Sequence, residues 1–287
     1  MSAPFGPIVI RCSTLSRYSD CPRRTIASTN RAVIEAAGFK LRRLGRGIGA
    51  AIGTAQAATW KFCLAEKAAT GLLPPLSVAT DHTTQSLADE LAGEVEFDGP
   101  SGVTHNARDA QLQSLAITGA YYRVIAPTIE PILVEQRLEA EIEPGIILSG
   151  QPDLICREPN RVRDLKTGAR RPGSHAPQLG GYSLLARTHG LDIESAAIDF
   201  VQRVAVRKPQ PDPVSHPVPI APAETAAASI IKHIAGDLAT FRNGDPERRI
   251  LPGDPWAFMA NPSSMLCSPK YCPAFGTEFC REGDVNK

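Results

Sequence analysis

The 287-residue chain lacks an apolar run approaching the ~20 residues that a membrane-spanning helix needs. It also lacks a signal-peptide pattern, because Ser, Pro and Arg interrupt the first dozen residues. Internal repeats are absent as well. The sequence therefore predicts a cytoplasmic protein that has no membrane partner.

Strong net charge is also missing: the formal charge is +1, which neither demands nor excludes a nucleic-acid partner. The distribution is uneven, because residues 1–50 hold nine Lys/Arg against two acids, and residues 68–107 hold six acids and no Lys/Arg. One face could contact phosphates while another repels them, although ordinary surface scatter explains the pattern equally well. The Gly-rich stretch 38–47 is a candidate DNA-backbone contact or a solvated loop. Its cations are Lys40, Arg42, Arg43 and Arg46.

Seven cysteines are an odd number, and an intracellular protein keeps its cysteines reduced or uses them for metal. Cys267, Cys272 and Cys280 lie in a C-terminal tail with little periodicity, which cannot pack a core without a cross-link. Tetrahedral sites need four ligands, and Cys21 is the obvious fourth, with Cys12 as a rival. A four-cysteine set suits zinc or an iron–sulfur cluster.

The most informative stretch runs from Gly150 to Tyr182. Residues 146–157 are apolar and β-prone, residues 161–166 form a short second strand, and Pro159-Asn160 is a turn. A β-hairpin follows, in which a two-residue turn sets Glu158 opposite Arg161. The further pairs are then Asp153 with Lys166 and Ile155 with Asp164.

Because side chains alternate along a strand, Asp153, Asp164 and Lys166 share one face and lie within reach of one another. Two neighbouring carboxylates repel unless a cation lies between them, and Mg²⁺ suits oxygen ligands of this kind. Such an ion lowers the pKa of a bound water, and the Lys would stabilise charge on a phosphate. The alternative is an Asp–Lys pair on a solvated hairpin.

The combined pattern is more specific: Asp153, ten intervening residues, Asp-x-Lys, and a helix with Gln178 and Tyr182 at i and i+4. It resembles the PD-(D/E)XK nuclease superfamily, in particular the RecB-type exonuclease branch with the CRISPR-adaptation nucleases and many phage relatives. The resemblance implies that Asp153 and Asp164 bind metal, that Lys166 is catalytic, and that Gln178 and Tyr182 shape the site or contact DNA. The matching residues are Gly150, Asp153, Asp164, Lys166, Thr167, Gly168, Gln178 and Tyr182.

The resemblance implies an α/β fold with a restriction-endonuclease-like mixed central sheet flanked by helices. It implies a Mg²⁺- or Mn²⁺-dependent DNA exonuclease for recombination or repair in a bacterial or phage-infected cell. DNA is then the partner, and a recombinase or single-strand annealing protein is a candidate second one. Digestion polarity, strand preference and oligomeric state stay open.

The segment STLSRYSDCPRR resembles the N-terminal signature of the iron–sulfur members, in which the Cys after the Tyr is the first cluster ligand. By this resemblance Cys21 joins Cys267, Cys272 and Cys280 around a 4Fe–4S cluster. Zinc is the alternative, because the gaps between the tail cysteines are longer than the commoner ones. Ordinary thiols are expected at Cys12, Cys63 and Cys156.

One departure concerns GIGAAIGTAQAA, which resembles a family segment that ends in a metal-binding His. Gly53, or Ala57 on another alignment, stands in that position. Water can fill the vacant coordination position, and Glu135 on a neighbouring strand is a candidate further ligand, with a solvated face as the alternative. Two rival functions remain: a decayed nucleic-acid-binding module, and a zinc-stapled adaptor without a DNA role.

A single domain spanning residues 1–287 is expected. Its parts are a mostly helical 1–129, a catalytic core 130–206, a helix within 207–250 and a Cys-rich tail 251–287. The predicted helices are 13–36 (interrupted at Cys21-Pro22), 48–70, 81–97, 105–126, 175–189 and 223–242. The predicted strands are 130–143, the hairpin and 195–206, with a Pro-rich loop at 209–222.

Overall fold

The computed structural model describes residues 7–157, 159–170, 173 and 175–281. The helices are α1 Cys12–Tyr18, α2 Pro22–Thr29, α3 Arg31–Ala36, α4 Ile48–Thr70, α5 Leu76–Leu91, α6 Ala107–Val124, α7 Ala176–Thr188 and α8 Ile220–Asn243. The strands are β1 Ile8–Arg11, β2 Pro131–Val134, β3 Leu138–Glu143, β4 Ile146–Gly150, β5 Leu154–Cys156, β6 Arg161–Gly168, β7 Ser195–Gln202 and β8 Val214–Val218. No helix in these ranges is both long and apolar enough to span a bilayer.

The strands form two mixed sheets. The larger one has the order β2-β5-β6-β7-β8, with β6 and β7 parallel and the other neighbours antiparallel. The smaller one has the order β1-β4-β3, with β1 parallel to β4. Helices flank both sheets, so the predicted α/β class is confirmed. Strands β1 and β8 were not predicted, and β8 tolerates Pro217 because it lies at the sheet edge.

The prediction of one strand over residues 130–143 is wrong. Strand β2 pairs with β5 in the larger sheet, whereas β3 pairs with β4 in the smaller one. The chain bends at Glu135, whose φ of 49° lies in the left-handed region. The apolar alternation continues across this bend and therefore does not reveal it. A period of two indicates which side chains are buried, but not in which sheet a strand pairs. For the same reason residues 146–157 contain two strands, β4 and β5.

Proline determines the helical pattern of the N-terminal part. Pro22 begins α2 and has no amide to continue an earlier helix, which agrees with the predicted interruption at Cys21-Pro22. A second break at Asn30 was not predicted, and it divides the rest of the predicted helix 13–36 into α2 and α3. Helix α4 has the predicted bounds and ends at Gly71, whose φ of 82° suits glycine. Helix α5 starts at Leu76, five residues before the predicted start, because Pro75 precedes its first turn.

Two hydrophobic groups enclose the larger sheet. One joins α1, α7, α8 and the tail to residues such as Val162 of β6, and the other joins α4, α5 and α6 to residues such as Val201 of β7. Helices α7 and α8 pack closely at Gly180, which has no side chain. A Cβ at this position would lie 2.1 Å from the carbonyl oxygen of Ala223. Strand β6 is therefore held from both faces, which fixes the side chains that it carries.

Candidate active site

The β5–β6 hairpin has a register two residues away from the predicted one. Continued past β5, this register sets Asp153 opposite Asp164 and not opposite Lys166, so the predicted pairing is wrong. A shift by an even number of residues preserves the alternation of faces, and Asp153 stays close enough to Asp164 and Lys166 for their charges to shift its pKa. Glu158, the expected partner of Arg161, lies outside the described residues. The observed pairs are Leu154 with Arg163, Ile155 with Val162 and Cys156 with Arg161.

Asp153 lies directly before β5, and its carboxylate is fixed against β6. Its Oδ2 accepts a hydrogen bond from the backbone N–H of Leu165 at 2.8 Å. Burial, followed by the neighbouring carboxylate of Asp164, raises the pKa of Asp153 to about 8, although Lys166 and the Leu165 N–H act in the opposite direction. A raised carboxyl pKa of this kind marks a position where a further positive charge would be stabilising.

Asp164 is fully buried at the centre of β6. Its Oδ2 forms an ion pair with Nζ of Lys166 at 2.6 Å, but the angles of this contact are not those of a hydrogen bond. Its Oδ1 accepts a hydrogen bond from Nε2 of Gln178 at 3.3 Å. The same Gln178 nitrogen donates to the hydroxyl of Tyr182 at 3.1 Å. Burial and the nearby Asp153 raise the pKa of Tyr182, so its hydroxyl is neutral. The structure thus brings together all five predicted catalytic residues.

Glu135 lies beside Asp153 and not on a remote solvated face. Its N–H donates to the backbone oxygen of Asp153 at 3.1 Å, and its Oε2 accepts from Nε2 of Gln151 at 2.6 Å. The two acids line one cavity together with Ala57 and Lys61 of α4. A third carboxylate is therefore close to Asp153, in a cavity that Arg163 and Asp199 also line.

The comparisons with known proteins address the family. A model of the PD-(D/E)XK nuclease superfamily matches residues 11–275, nearly the whole chain. The chain belongs to this superfamily. Members are generally metal-dependent nucleases that act on nucleic acid and use Mg²⁺ or Mn²⁺, so the predicted family is confirmed, whereas the branch stays a prediction.

The other comparisons add little to this assignment. A solved structure titled "Crystal structure of SSO0001" is 15% identical and has a TM-score of 0.32 over 80% of this chain and 79% of that chain. No curated protein matches the chain.

The acids of this superfamily member fit a divalent ion of the Mg²⁺ type. Within the described ranges no three His, Cys, Asp or Glu side chains surround a single ion position. Mg²⁺ does not need three, because it keeps several waters and is often bound by one or two carboxylates plus a substrate phosphate. The donor chemistry agrees: Asp164 Oδ2 lacks a well-directed hydrogen bond, and Asp153 has a raised pKa.

The structure also locates the two positions at which the family's metal-binding His is missing. Ala57 lines the cavity that contains Asp153, and a Cβ at Gly53 would lie 3.6 Å from Oγ1 of Thr167. Both positions therefore face the catalytic strands from α4, one turn apart. Neither residue carries a ligand atom, so α4 supplies no His to the site.

A buried ionic group that the sequence did not predict lies behind β6. Nη1 of Arg163 donates to both carboxylate oxygens of Asp199 at 2.8 and 2.9 Å, and the hydroxyl of Tyr121 donates to Asp199 at 3.1 Å. These bonds tie β6 to β7 and α6. The available signal was an Arg directly before Asp164, which alternation directs to the opposite face of the strand.

His175 was also missed. It directly precedes α7, and burial followed by the charge of Lys166 lowers its pKa, so the imidazole beside the site is neutral. Its position three residues before Gln178 was the available signal.

The four predicted cluster cysteines line one cavity. Cys21 is the residue before α2, and the tail contributes Cys267, Cys272 and Cys280. None forms a disulfide, and burial raises the pKa of Cys272 to about 11. Cys12 lies elsewhere, because its Sγ would be 2.8 Å from a Cβ at Gly150.

These thiols share a cavity without surrounding one ion position among the described residues. The four thiols therefore lie close enough to share a metal centre, and zinc and an iron–sulfur cluster are both suited to four cysteine ligands.

Proposed function

We propose that the chain is a Mg²⁺- or Mn²⁺-dependent deoxyribonuclease that degrades DNA from its ends, in recombination or repair in a bacterial or phage-infected cell. Residues 1–287 would form one nuclease domain. The supporting observation is the meeting of Asp153, Asp164 and Lys166 at neighbouring strands, where two buried acids share one ammonium and the pKa of Asp153 is raised to about 8.

Each residue has a role that follows from its contacts. Asp153 and Asp164 would hold the ion, with Glu135 as a candidate third carboxylate. The bound ion would supply a water of lowered pKa and neutralise charge on the phosphate. Lys166 would stabilise the negative charge that develops on the phosphate, because its ammonium is held in place by Asp164. Gln178 would fix the second oxygen of Asp164.

The second metal site would be structural. We propose that Cys21, Cys267, Cys272 and Cys280 hold a 4Fe–4S cluster, with zinc as the alternative. Such a site would cross-link the N-terminal helices to a tail that has little regular secondary structure. It would stabilise the fold without contributing to the chemistry at Asp153 and Asp164.

The decisive experiment uses linear DNA labelled at its 5′ or its 3′ end, single- and double-stranded, with Mg²⁺ or Mn²⁺. Lys166→Ala should lower the cleavage rate by about 10²-fold or more, because it removes a preorganised charge from the site. The variant should still fold and bind DNA, although its melting temperature should fall because the buried Asp164 loses its paired cation. Lys208→Ala, an exposed lysine in the β7–β8 connection, is the matched control. Cleavage by Lys166→Ala at the control rate would contradict the assignment.

The missing His motivates one rival, a decayed module that binds nucleic acid without cleaving it. Gly53 and Ala57 are the observation in its favour, because α4 offers no ligand atom there. The same experiment separates the two proposals. Retained DNA binding without cleavage of any labelled strand, with either ion, would favour the rival.

A further inference from the structure

The exposed segment of residues 40–46, between α3 and α4, carries a row of cations, here called the basic strap. The side chains of Lys40, Arg42 and Arg43 are exposed. In the described part of the chain no carboxylate pairs with any of these three. Arg46 differs, because it forms an ion pair with Glu90 of α5. Three positive charges are therefore available to a ligand.

The strap is held in place by the rest of the fold. Leu41 is buried, and the backbone N–H of Arg42 donates to the carbonyl oxygen of Pro273 in the tail at 2.8 Å. The guanidinium of Arg31 donates to the carbonyl oxygens of Leu41 and Arg42 at 2.7 and 2.9 Å. A solvated loop would leave these groups to water, so the backbone presents its side chains from a fixed position.

The far end of the strap is fixed as well. The N–H of Glu96 donates to the carbonyl oxygen of Arg46 at 2.8 Å, and the N–H of Ile48 donates to that of Glu96 at 2.8 Å. Helix α4 begins there, and one turn further on Gly53 lies next to Thr167, the residue after Lys166. The strap therefore connects the cysteine-lined tail to the helix that packs over the catalytic strand.

We propose that Lys40, Arg42 and Arg43 form a track that binds the phosphates of the nucleic-acid backbone and directs the strand toward Asp164 and Lys166. The inference rests on the proposed function and identifies the surface that holds its substrate. Because the backbone of the strap is already ordered, binding costs only the entropy of the side chains and not that of the loop. Phosphate contacts of this kind position a strand without reading its sequence. The acids Glu90 and Glu96 would bound the track at its α4 end.

The test compares two triple-alanine variants of the full chain. The strap variant is Lys40→Ala, Arg42→Ala and Arg43→Ala. The control removes the same charge from exposed residues of α6 and α8. The control set is Arg108→Ala, Arg123→Ala and Lys232→Ala. Binding to a labelled oligonucleotide is measured without divalent ions between 50 and 200 mM salt, so that cleavage does not interfere.

Log affinity falls with log salt concentration, and each lost phosphate contact makes this slope less steep by about 0.7 to 0.9. The strap variant should therefore show a slope about 2 to 3 smaller than wild type and much weaker binding at low salt, whereas the control should match wild type. Single substitutions of the same residues by Gln, each expected to lower the slope by about 0.7 to 0.9, cover the case in which the triple variant unfolds.

The outcomes separate the track from the proposed function. If wild type binds and cleaves DNA, and the strap variant keeps the slope of the control, the track is refuted and the nuclease assignment survives. If wild type neither binds nor cleaves any nucleic acid, both fail. Slopes that fall equally in the strap and control variants would show diffuse attraction and would also overturn the track.

Discussion

Replacing Asp153 by Asn should stabilise the metal-free protein while abolishing cleavage. Burial and the nearby Asp164 raise the pKa of Asp153 to about 8, against about 3.9 in an unfolded chain. Between these values the folded state keeps a proton that the unfolded state has lost. The free energy of unfolding therefore falls as pH rises from about 4 to 8. Asn is neutral and can still accept the Leu165 N–H bond.

The magnitude follows from the same shift. Each pKa unit corresponds to about 1.4 kcal/mol, and at pH 7 about three units apply, which gives an upper limit of about 4 kcal/mol. Local relaxation and water entry reduce this limit, so we expect a gain of about 2 kcal/mol. At about 2–4 °C per kcal/mol for a protein of this size, Asp153→Asn should melt about 4–8 °C higher at pH 7.

Thermal unfolding of the chelator-treated protein between pH 5 and pH 8 measures this effect. The difference between Asp153→Asn and wild type should grow with pH, and Mg²⁺ should raise the melting temperature of wild type alone. Asp164→Asn is the matched control, because it removes the ion-pair partner of Lys166 and should give no gain. A pH-independent difference between Asp153→Asn and wild type would refute the electrostatic reasoning.

Three further substitutions test the second metal site, the third acid and the helix packing. Cys21→Ser should lose iron or zinc and melt at a lower temperature, whereas the control Cys63→Ser should keep the metal. Equal metal content and visible absorption in the two variants would contradict the proposed ligands. Glu135→Gly should be at least as stable as wild type, since glycine suits a φ of 49°. It should nevertheless need more Mg²⁺ for half-maximal cleavage, and an unchanged requirement would exclude Glu135 as a metal ligand. Gly180→Ala should lose more than about 1 kcal/mol in denaturant unfolding despite the helix preference of Ala, because its Cβ would meet Ala223; a more stable variant would contradict this packing.

Local signals were sufficient for several elements. The bounds of α4 follow from its composition and from Gly71, which ends it in a left-handed conformation. Gln178 and Tyr182 share a face because they are one helical turn apart, and they do form a hydrogen bond with each other. In these cases the deciding interactions lie within a few residues of each other in the chain.

Pairings between segments that are distant in the chain were harder to predict from the sequence. A period of two cannot distinguish hairpin registers that differ by two residues, so the predicted partner of Asp153 was wrong. The same limit joined β2 and β3 into one strand. The Arg163–Asp199 pair joins residues 36 positions apart on parallel strands, so alternation indicates the face of Arg163 but not its partner. Sequence thus predicted which face carries the acids and missed the residues that support them.

The charges around β6 show where the site has a deficit. Arg163 is neutralised by Asp199 on one face of the strand, and Asp164 is paired with Lys166 on the other. Among the described residues, Asp153 has no cation within ion-pair distance, and its carboxylate receives a backbone N–H bond instead. Its pKa is raised first by burial and then by the nearby carboxylate of Asp164, and these two effects outweigh the opposing effects of Lys166 and the Leu165 N–H. The negative potential that disfavours ionised Asp153 in the metal-free protein would stabilise a divalent ion bound there. The free energy of unfolding that the buried acids cost the metal-free protein is therefore a consequence of building a cation site.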